Sequence, residues 1–301
     1  MRFVTFETGG AARAGVLQGD GSGAGDTVLD LAHQAMRDAL AGAAPQVLAL
    51  LRAGLAGVAE RLRQAGRPAE AVMPLASVRL LPSLPDPGHI YGAAHNYRDA
   101  LEERGMAAPA EPVLFDKVPE TLVGPNAPVV LPEGIGDVTY EAEIAAVIGS
   151  VADRVTPVNA LAHVAAYGVF NDVSASGLVR ADGHFRRGKN LPSFGPFGPY
   201  LATADEIPDP HALRIGLSVD GVTLQDSSTS RMLFGVAELV SILSHRQPLR
   251  PGDVIATGTP AGVAPNRKPP TWLRPGQTMI AWVEGLGQLR NPVIAGPAFH
   301  G

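Results

Sequence analysis

Three acidic residues lie in or beside apolar stretches of the chain, where a charged side chain needs a partner. Glu141 and Glu143 are two residues apart within residues 138–148, which have the composition of a buried β-strand. Alternate residues of a strand share a face, so these two carboxylates are predicted to point the same way. Asp172 ends a second apolar stretch, residues 164–172. Like charges side by side in a core are unfavourable unless something positive lies between them.

A bound divalent cation would supply that positive charge. Carboxylates are hard oxygen ligands, and the chain contains no cysteine that would compete with them. Glu141, Glu143 and Asp172 therefore indicate a site for Mg²⁺, or for Mn²⁺ or Ca²⁺, in preference to zinc. Judged from the residues alone, the alternative is that one glutamate is exposed to solvent or pairs with an arginine, which is the commoner situation.

Further candidate groups lie on loops near these acids in the sequence. Lys189 follows Asp172 after a loop rich in Gly and Ser, where it could hold a substrate carboxylate or an enolate oxygen. The turn of Thr257, Gly258 and Thr259 follows a predicted strand, and its N–H groups and hydroxyls suit an anion. His95, ahead of a predicted helix, could be catalytic. For each group the alternative is an ordinary solvated loop, tight turn or hydrogen-bonded histidine.

The composition is that of a compact globular protein. Of the 301 residues, 46% are hydrophobic and 18% charged, and no apolar run is long enough to span a membrane. A net charge of −5 without a basic cluster argues against nucleic acid as a partner. The first residues alternate like a strand and do not resemble a signal peptide, so a cytoplasmic protein is expected. The absence of cysteine excludes disulfides and thiolate chemistry.

Residues 1–85 are predicted to form a small N-terminal domain. Its expected elements are short strands at residues 3–7, 15–18 and 28–31 and one helix within residues 45–66, where apolar residues recur at helical spacing. The proline-rich segment 81–88 is the expected boundary.

Residues 86–301 are predicted to form a β-rich catalytic domain. Asp220 and Gly221 separate two strand-like segments and predict a tight hairpin. Residues 230–244 have the apolar spacing of a helix.

The motifs of residues 85–295, taken in order, resemble those of the fumarylacetoacetate hydrolase family. They are Asn96-Tyr97 with Glu103, Phe115–Lys117, Tyr140–Glu143, Asn171–Ala175, Arg187–Lys189, Gly195–Pro199, Gln225-Asp226 with Thr229, Arg250–Val263 and Glu284–Pro292. The resemblance implies an α+β, β-rich fold, a mixed β-sandwich roll with a small N-terminal α/β domain, and a homodimer.

The same resemblance implies roles for particular residues. Glu141, Glu143 and Asp172 would hold Mg²⁺, Mn²⁺ or Ca²⁺. The substrate would be a small oxo-acid, such as a 1,3-dicarbonyl compound or an acylpyruvate, whose enolate the metal stabilises when a C–C bond breaks. The substrate-binding residues would be Tyr97, Lys117, Lys189, Thr257, Gly258 and Thr259. Hydrolytic members activate water with a His–Glu pair, of which Glu103 is the acid.

The sequence departs from the family pattern at three positions. The histidine expected three residues after Tyr97 is Ala100, although Glu103 is present. An arginine and a glutamine expected after Asp172 are Ser176 and Val179. A general base typically contributes about 10²–10⁴-fold, so hydrolysis would need a substitute, for which His95, His184 and His89 are the candidates.

Three functions are therefore compatible with the sequence. The first is metal-dependent hydrolysis of a C–C bond in a small oxo-acid with a relocated base, in which Lys189, Glu103 and His95 are the catalytic residues. The second is decarboxylation or isomerisation of a small oxo-acid at the same metal site, without activated water. The third is a catalytically degenerate relative that binds a metal and a small acid.

Overall fold

The computed structural model describes residues 1–23 and 25–299 of the chain. The strands, in chain order, are β1 (Arg2–Thr8), β2 (Ala11–Gln18), β3 (Thr27–Asp30), β4 (Val72–Pro74), β5 (Arg79–Leu80), β6 (Ile90–Ala94), β7 (Val113–Lys117), β8 (Leu122–Val123), β9 (Val129–Glu133), β10 (Val138–Thr139), β11 (Ala142–Ile148), β12 (Val164–Asn171), β13 (Ser174–Ala175), β14 (Gly195–Thr203), β15 (Arg214–Val219), β16 (Val222–Ser228), β17 (Val254–Ala256), β18 (Thr278–Val283) and β19 (Gln288–Ala298). The α-helices are α1 (Arg37–Leu40), α2 (Val47–Arg52), α3 (Leu55–Ala65), α4 (Arg98–Arg104), α5 (Pro157–Ala160), α6 (Ser176–Asp182), α7 (Arg186–Lys189) and α8 (Val236–Arg246).

A large mixed sheet runs through the molecule in the order β4-β3-β2-β1-β14-β12-β11-β17-β6-β7, with β5 paired to β1 and β8 paired to β14. A five-stranded sheet, β16-β15-β18-β19-β9, packs against the central strands β11, β12 and β14. Apolar side chains of both sheets form one buried core. The fold is therefore α+β and β-rich with two packed sheets, which confirms the predicted fold class.

The N-terminal strands belong to the same sheet as the site-bearing strands. Strand β1 pairs with β14 through Arg2 and Ala202 and through Phe3 and Leu201. Residues 81–88 form no helix or strand, as their composition predicts. The division of the chain at residue 85 stays a prediction.

Two predicted helices differ in their bounds from those of the structure. Residues 45–66 form α2 and α3 instead of one helix, because Gly54 adopts a φ of 85° between them. The helix predicted at residues 230–244 begins only at Val236, where the Glu238 carboxylate accepts a hydrogen bond from the Gly235 N–H. The hairpin prediction is confirmed, since Asp220 and Gly221 connect β15 to β16 with φ values of 50° and 81°.

The predicted strand at residues 138–148 is interrupted before Glu143. Strands β10 and β11 are separated at Tyr140 and Glu141, where the Glu141 N–H donates to the Asn171 side-chain oxygen at 2.9 Å. The Asp172 N–H in turn donates to the Glu141 carbonyl at 2.9 Å. These two hydrogen bonds, one to a side chain and one between backbone groups, thus replace the regular strand ladder where the acids meet.

No helix among residues 1–23 and 25–299 is long and apolar enough to cross a membrane.

Candidate metal centre

The structure brings the three predicted acids together. One carboxylate oxygen each of Glu141, Glu143 and Asp172 lies within 4.8 Å of the other two. Strand β11 carries Glu143 and pairs with β12, which places Ala142 opposite Asn171 and so brings Asp172 beside the two glutamates. Glu143 and Asp172 are buried, and Glu141 is partly exposed. The pairing of two adjacent strands is what makes the cluster.

Two lysines neutralise part of this charge. The Lys189 Nζ lies 2.8 Å from the Glu141 Oε2 and 2.5 Å from the Asp172 Oδ2. The Lys117 Nζ lies 2.8 Å from the Asp172 Oδ1 and donates a further hydrogen bond to the Lys189 carbonyl. The predicted closeness of Lys189 to the acids is therefore found. Lys117, predicted to bind substrate, is buried against Asp172 and holds that carboxylate in place.

The two lysines make the pKa values of the three acids differ. Burial alone would raise the pKa of Asp172, but Lys117 and Lys189 outweigh burial and hold this pKa below its ordinary value. Burial raises the pKa of Glu141 despite the nearby Lys189. Burial, with repulsion from Asp172 and Glu141, raises the pKa of Glu143 well above its ordinary value. Glu143 is therefore the acid whose charge is least compensated.

The ligand set fits a divalent cation. Within the described ranges Glu143 has no ion pair, and the hydrogen bond found for its carboxylate comes from the Gly258 N–H at 2.8 Å. Three carboxylates and two ammonium groups leave one net negative charge when all are ionised. A hard cation with oxygen ligands would bring the remaining positive charge to Glu143.

The turn after β17 serves the acids as well as the predicted substrate site. Strand β17 lies beside β11, and the Thr257 hydroxyl donates to the Ile144 carbonyl at 2.9 Å. The Thr259 hydroxyl accepts a hydrogen bond from the Gln225 Nε2 at 2.8 Å. The Gly258 N–H donates to Glu143, and of the three turn residues Thr257, Gly258 and Thr259 it is Thr259 that lines the cavity described next. A role of the turn in holding a carboxylate stays a prediction.

A cavity of about 60 Å³ adjoins the acids. Among its lining residues are His95, Ala100, Arg104, Glu141 and Thr259. Ala100, which stands where the family pattern has a histidine, thus lines the same cavity as Glu141.

His95 lies in this cavity in a fixed orientation. Its backbone φ of 58° is uncommon for a residue other than glycine. The Arg104 Nη1 lies 3.1 Å from the His95 Nδ1, and since a guanidinium can only donate, this nitrogen must accept. Burial, Arg104 and Lys189 all lower the pKa of His95. The ring is therefore neutral at pH 7 and carries its proton on Nε2.

The remaining predicted residues do not line this cavity. The Glu103 carboxylate accepts hydrogen bonds from the Gly262 N–H at 3.1 Å and the Asn266 side chain at 2.8 Å, and not from a histidine. Tyr97 is fully buried, and its hydroxyl has no hydrogen-bond partner among the described residues. The other two histidines considered, His89 and His184, are exposed and do not line the cavity.

Sequence reasoning missed two residues of the site. Arg104 ends α4 and lines the cavity, and Phe185 packs its ring against that of Phe115 at 5.0 Å between centroids. The Lys189 ammonium lies 5.1 Å from the centroid of the Phe115 ring, so these aromatic rings cover the buried charges. The one available signal was the position of Arg104 on the helix that carries Ala100 and Glu103.

Comparison with known proteins agrees with this site. The family description "Fumarylacetoacetate (FAA) hydrolase C-terminal" matches residues 89–294. A protein of Burkholderia cenocepacia (strain HI2424), with a provisional name as a hydrolase, is 43% identical over 203 residues, which cover 67% of this chain and 72% of that protein.

Solved structures are similar over nearly the whole chain. Fumarylacetoacetate hydrolase from Exiguobacterium antarcticum is 33% identical with a TM-score of 0.81, and the match covers 98% of this chain and 100% of that one. The 5-carboxymethyl-2-hydroxymuconate delta-isomerase from Mycobacterium smegmatis is 30% identical with a TM-score of 0.76 and the same coverage.

The chain belongs to the fumarylacetoacetate hydrolase family. Its structural neighbours are enzymes and include both hydrolases and isomerases. Enzymes of this family use a divalent metal, and Glu141, Glu143 and Asp172 could bind one. Membership of the family therefore leaves the type of reaction open, and the geometry around the acids must be used to choose.

Proposed function

We propose that this protein is a divalent-metal-dependent enzyme that acts on a small oxo-acid, with Mg²⁺ as the simplest choice of ion. The observation that carries the proposal is the buried cluster of Glu141, Glu143 and Asp172, in which Glu143 lacks a cationic partner among the described residues. A cation bound there would act as a Lewis acid that stabilises negative charge developing on the oxo-acid as its enolate forms.

The chain's own residues would divide the remaining work. Lys117 holds Asp172 in position, and the Gly258 N–H holds Glu143. Lys189 places an ammonium group at the edge of the cluster, where it can donate to a substrate oxygen as well as to Glu141. Phe115 and Phe185 limit the access of water to these charges.

Isomerisation or decarboxylation is the reaction type that this geometry supports best. Ala100 stands where the family pattern has the water-activating histidine. The Glu103 carboxylate accepts hydrogen bonds from the Gly262 N–H and from the Asn266 side chain. The neutral His95 uses its unprotonated nitrogen to accept from Arg104, so it offers an N–H donor and not a base for water. Both reactions need mainly stabilisation of the enolate. A cation held by Glu141, Glu143 and Asp172 would supply it together with Lys189.

Hydrolysis of a C–C bond is the second candidate. It is favoured by the hydrolase name of the Exiguobacterium relative and by the position of His95 in the same cavity as Glu141. It requires that the contact between His95 and Arg104 break during turnover, so that Nδ1 becomes free to accept a proton from water.

Turnover of two compounds separates these candidates. The Mg²⁺-saturated protein is expected to release CO₂ from oxaloacetate or to interconvert its keto and enol forms, and to leave acetylpyruvate intact. Cleavage of acetylpyruvate that is lost in His95→Asn but not in His184→Asn would establish hydrolysis with a relocated base instead.

The matched variants Glu141→Ala and Glu133→Gln test the metal dependence of either activity. Glu133 is exposed on β9, so its replacement should leave turnover unchanged, whereas Glu141→Ala should abolish it. Turnover that survives in Glu141→Ala would rule out the proposed site. A wild type that binds Mg²⁺ and small oxo-acids but turns over neither compound would support a degenerate binding protein.

A further inference from the structure

Arg104 is a partly buried cation beside the cluster of Glu141, Glu143 and Asp172, and no acid in the described part of the chain pairs with it. Its Nη1 donates to His95, but its Nε is buried and has no hydrogen-bond partner among residues 1–23 and 25–299. No carboxylate within those ranges forms an ion pair with its guanidinium. Burying an unpaired donor of a charged group is unfavourable, so such groups usually have a partner. The missing partner of Arg104 is therefore expected to be an anion from outside the chain.

The position of Arg104 at the end of a helix does not account for this burial. Arg104 is the last residue of α4, where a cation interacts favourably with the helix dipole. A solvated side chain would gain that interaction as well. Arg104 instead lines a partly open cavity together with Glu141 and Thr259, and its Nε is not in contact with solvent.

Arg104 could take the place of a substrate-binding arginine that the family resemblance implies and this chain lacks. Ser176, at a position where the family resemblance implies an arginine, begins helix α6. Arg104 reaches the region of Glu141 from helix α4, and the two residues line the same cavity. A guanidinium binds a carboxylate with two parallel hydrogen bonds, which an ammonium group cannot do.

The charge of the site suits a doubly charged ligand. With a divalent cation added, the three carboxylates and two lysines carry one net positive charge when all are ionised. Arg104 raises this to two. A monocarboxylate would leave one of these charges uncompensated, whereas a dicarboxylate dianion would balance both.

We propose that Arg104 binds the distal carboxylate of the substrate, and that the protein therefore selects oxo-dicarboxylates over oxo-monocarboxylates. This inference rests on the proposed function, because it takes the oxo-acid end of the substrate to lie at the metal cluster. It assigns the charge-selecting role to a helix that the family pattern uses for water activation.

The test compares two five-carbon acids that differ only at the distal end, 2-oxoglutarate with a carboxylate and 2-oxopentanoate with a methyl group. Their affinities are measured by isothermal titration calorimetry on the Mg²⁺-saturated protein. The variants are Arg104→Gln, Arg104→Lys and, as a control, Arg98→Gln, which replaces an exposed arginine of the same helix.

The wild type and Arg98→Gln should bind 2-oxoglutarate at least about tenfold more tightly than 2-oxopentanoate, the effect of one charge-assisted pair. Arg104→Gln should lose this preference by weakening 2-oxoglutarate alone. Arg104→Lys, which keeps the charge and most of the packing, should fall between them and decides the matter if the glutamine variant does not fold.

Equal affinity of the wild type for the two acids would overturn the inference while leaving the proposed function in place, provided that both bind only with Mg²⁺. Equal weakening of both acids in Arg104→Gln would also overturn it, because the side chain would then merely position His95. If the wild type binds neither acid, or binds them without regard to Mg²⁺, the proposed function fails together with the inference.

Discussion

Glu143 differs from the other two acids of the cluster because it has no ammonium partner within the described parts of the chain. Lys189 contacts both Glu141 and Asp172, and Lys117 contacts Asp172. Among those residues, the Glu143 carboxylate accepts a hydrogen bond only from the Gly258 N–H, and burial raises the pKa of Glu143 well above the ordinary value. A divalent cation would remove this penalty, so the affinity for metal should depend on the protonation of this one side chain.

The affinity for Mg²⁺ should therefore fall as the pH is lowered. A proton competes with the ion for Glu143, and because the pKa of Glu143 in the ion-free protein is raised, the loss begins above the ordinary glutamate value of about 4.3. Below that raised pKa the apparent affinity should fall by up to about tenfold per pH unit. Calorimetric titration with Mg²⁺ between about pH 8 and pH 5 measures this; an unchanged affinity over that range would contradict it.

Lys189 should matter more to the ion-free protein than to the loaded one. Replacing it in Lys189→Met leaves the partly exposed Glu141 without a cation and the buried Asp172 with Lys117 alone, which costs about 3 kcal/mol of unfolding free energy. Saturating Mg²⁺ should restore part of that loss, so the ion should stabilise this variant more than the wild type.

Lys268→Met is the matched control, because Lys268 is the remaining lysine of the chain and is exposed. Its free energy of unfolding should stay within about 0.5 kcal/mol of the wild type. Chemical denaturation of the three proteins with and without Mg²⁺ gives the six free energies of unfolding, and equal stabilisation of wild type and Lys189→Met by the ion would count against a shared site.

At the scale of single elements, the site depends on a strand, a turn and a helix that side chains hold together. The turn after β17 donates the Gly258 N–H to Glu143. Helix α4 is held against β16 by a hydrogen bond of 2.5 Å from the Ser227 hydroxyl to Asp99, and Glu103 ties it to the Gly262 N–H. The cavity between helix and turn is therefore bounded by elements whose positions are fixed.

Gly258→Ala should disturb this arrangement more than its conformational strain explains. Gly258 has a φ of 93°, and an added Cβ would lie 2.5 Å from the Ala93 carbonyl oxygen. Gly276 has a φ of 94° with nothing within 4 Å of such a Cβ, so Gly276→Ala carries the strain alone.

The control should lose about 1 kcal/mol of stability, and Gly258→Ala a further 1–3 kcal/mol, roughly the cost of overpacking. Only Gly258→Ala should also weaken Mg²⁺ binding, because relief of the clash with Ala93 would move the backbone N–H of residue 258 away from Glu143. Thermal unfolding and metal titration of both variants test this; two variants with the same stability and affinity would refute it.

Local patterns predicted several of the elements but not where they break. The Asp220-Gly221 hairpin and the strands at β1 and β3 follow from turn chemistry and alternation. The interruption at Tyr140 and Glu141 does not, because there the Glu141 N–H donates a hydrogen bond to the Asn171 side-chain oxygen, 30 residues away in the chain.

The same limit applies to the site residues. The spacing of Glu141 and Glu143 and the apolar stretch that ends at Asp172 suggested a cluster, but the family resemblance was needed to favour it over solvent-exposed glutamates, because the pairing of β11 with β12 is not a local property. The contact of Arg104 with His95 and the pairing of Lys117 with Asp172 join distant elements, and nothing local marks them.

At the scale of the whole molecule, one sheet joins the N-terminal strands to the site. Buried side chains of residues 1–85, such as Phe3 and Leu51, share a core cluster with Phe170 and Leu201. Strand β14 pairs with β1 on one side and with β12, which leads to Asp172, on the other. A homodimer in the cytoplasm stays a prediction, which sedimentation of the purified protein can test for its dimeric part.

A fragment of residues 86–301 should be poorly soluble or unfold without cooperativity. Removal of residues 1–85 leaves the β14 edge unpaired and exposes the shared apolar cluster, both of which favour aggregation. Size-exclusion chromatography and thermal unfolding of the fragment measure this. A soluble fragment with a cooperative transition and wild-type Mg²⁺ affinity would show instead that the catalytic part folds alone.

Direct titration with Mn²⁺ tests most immediately whether Glu141, Glu143 and Asp172 form a metal site. This ion binds at oxygen sites, and its paramagnetism reports binding without any substrate. Wild type and the exposed control Glu133→Gln should each bind one Mn²⁺ per chain at the cluster, and Glu143→Gln should bind none there. Retention of the site with unchanged affinity in Glu143→Gln would contradict the assignment of the three acids as a metal centre.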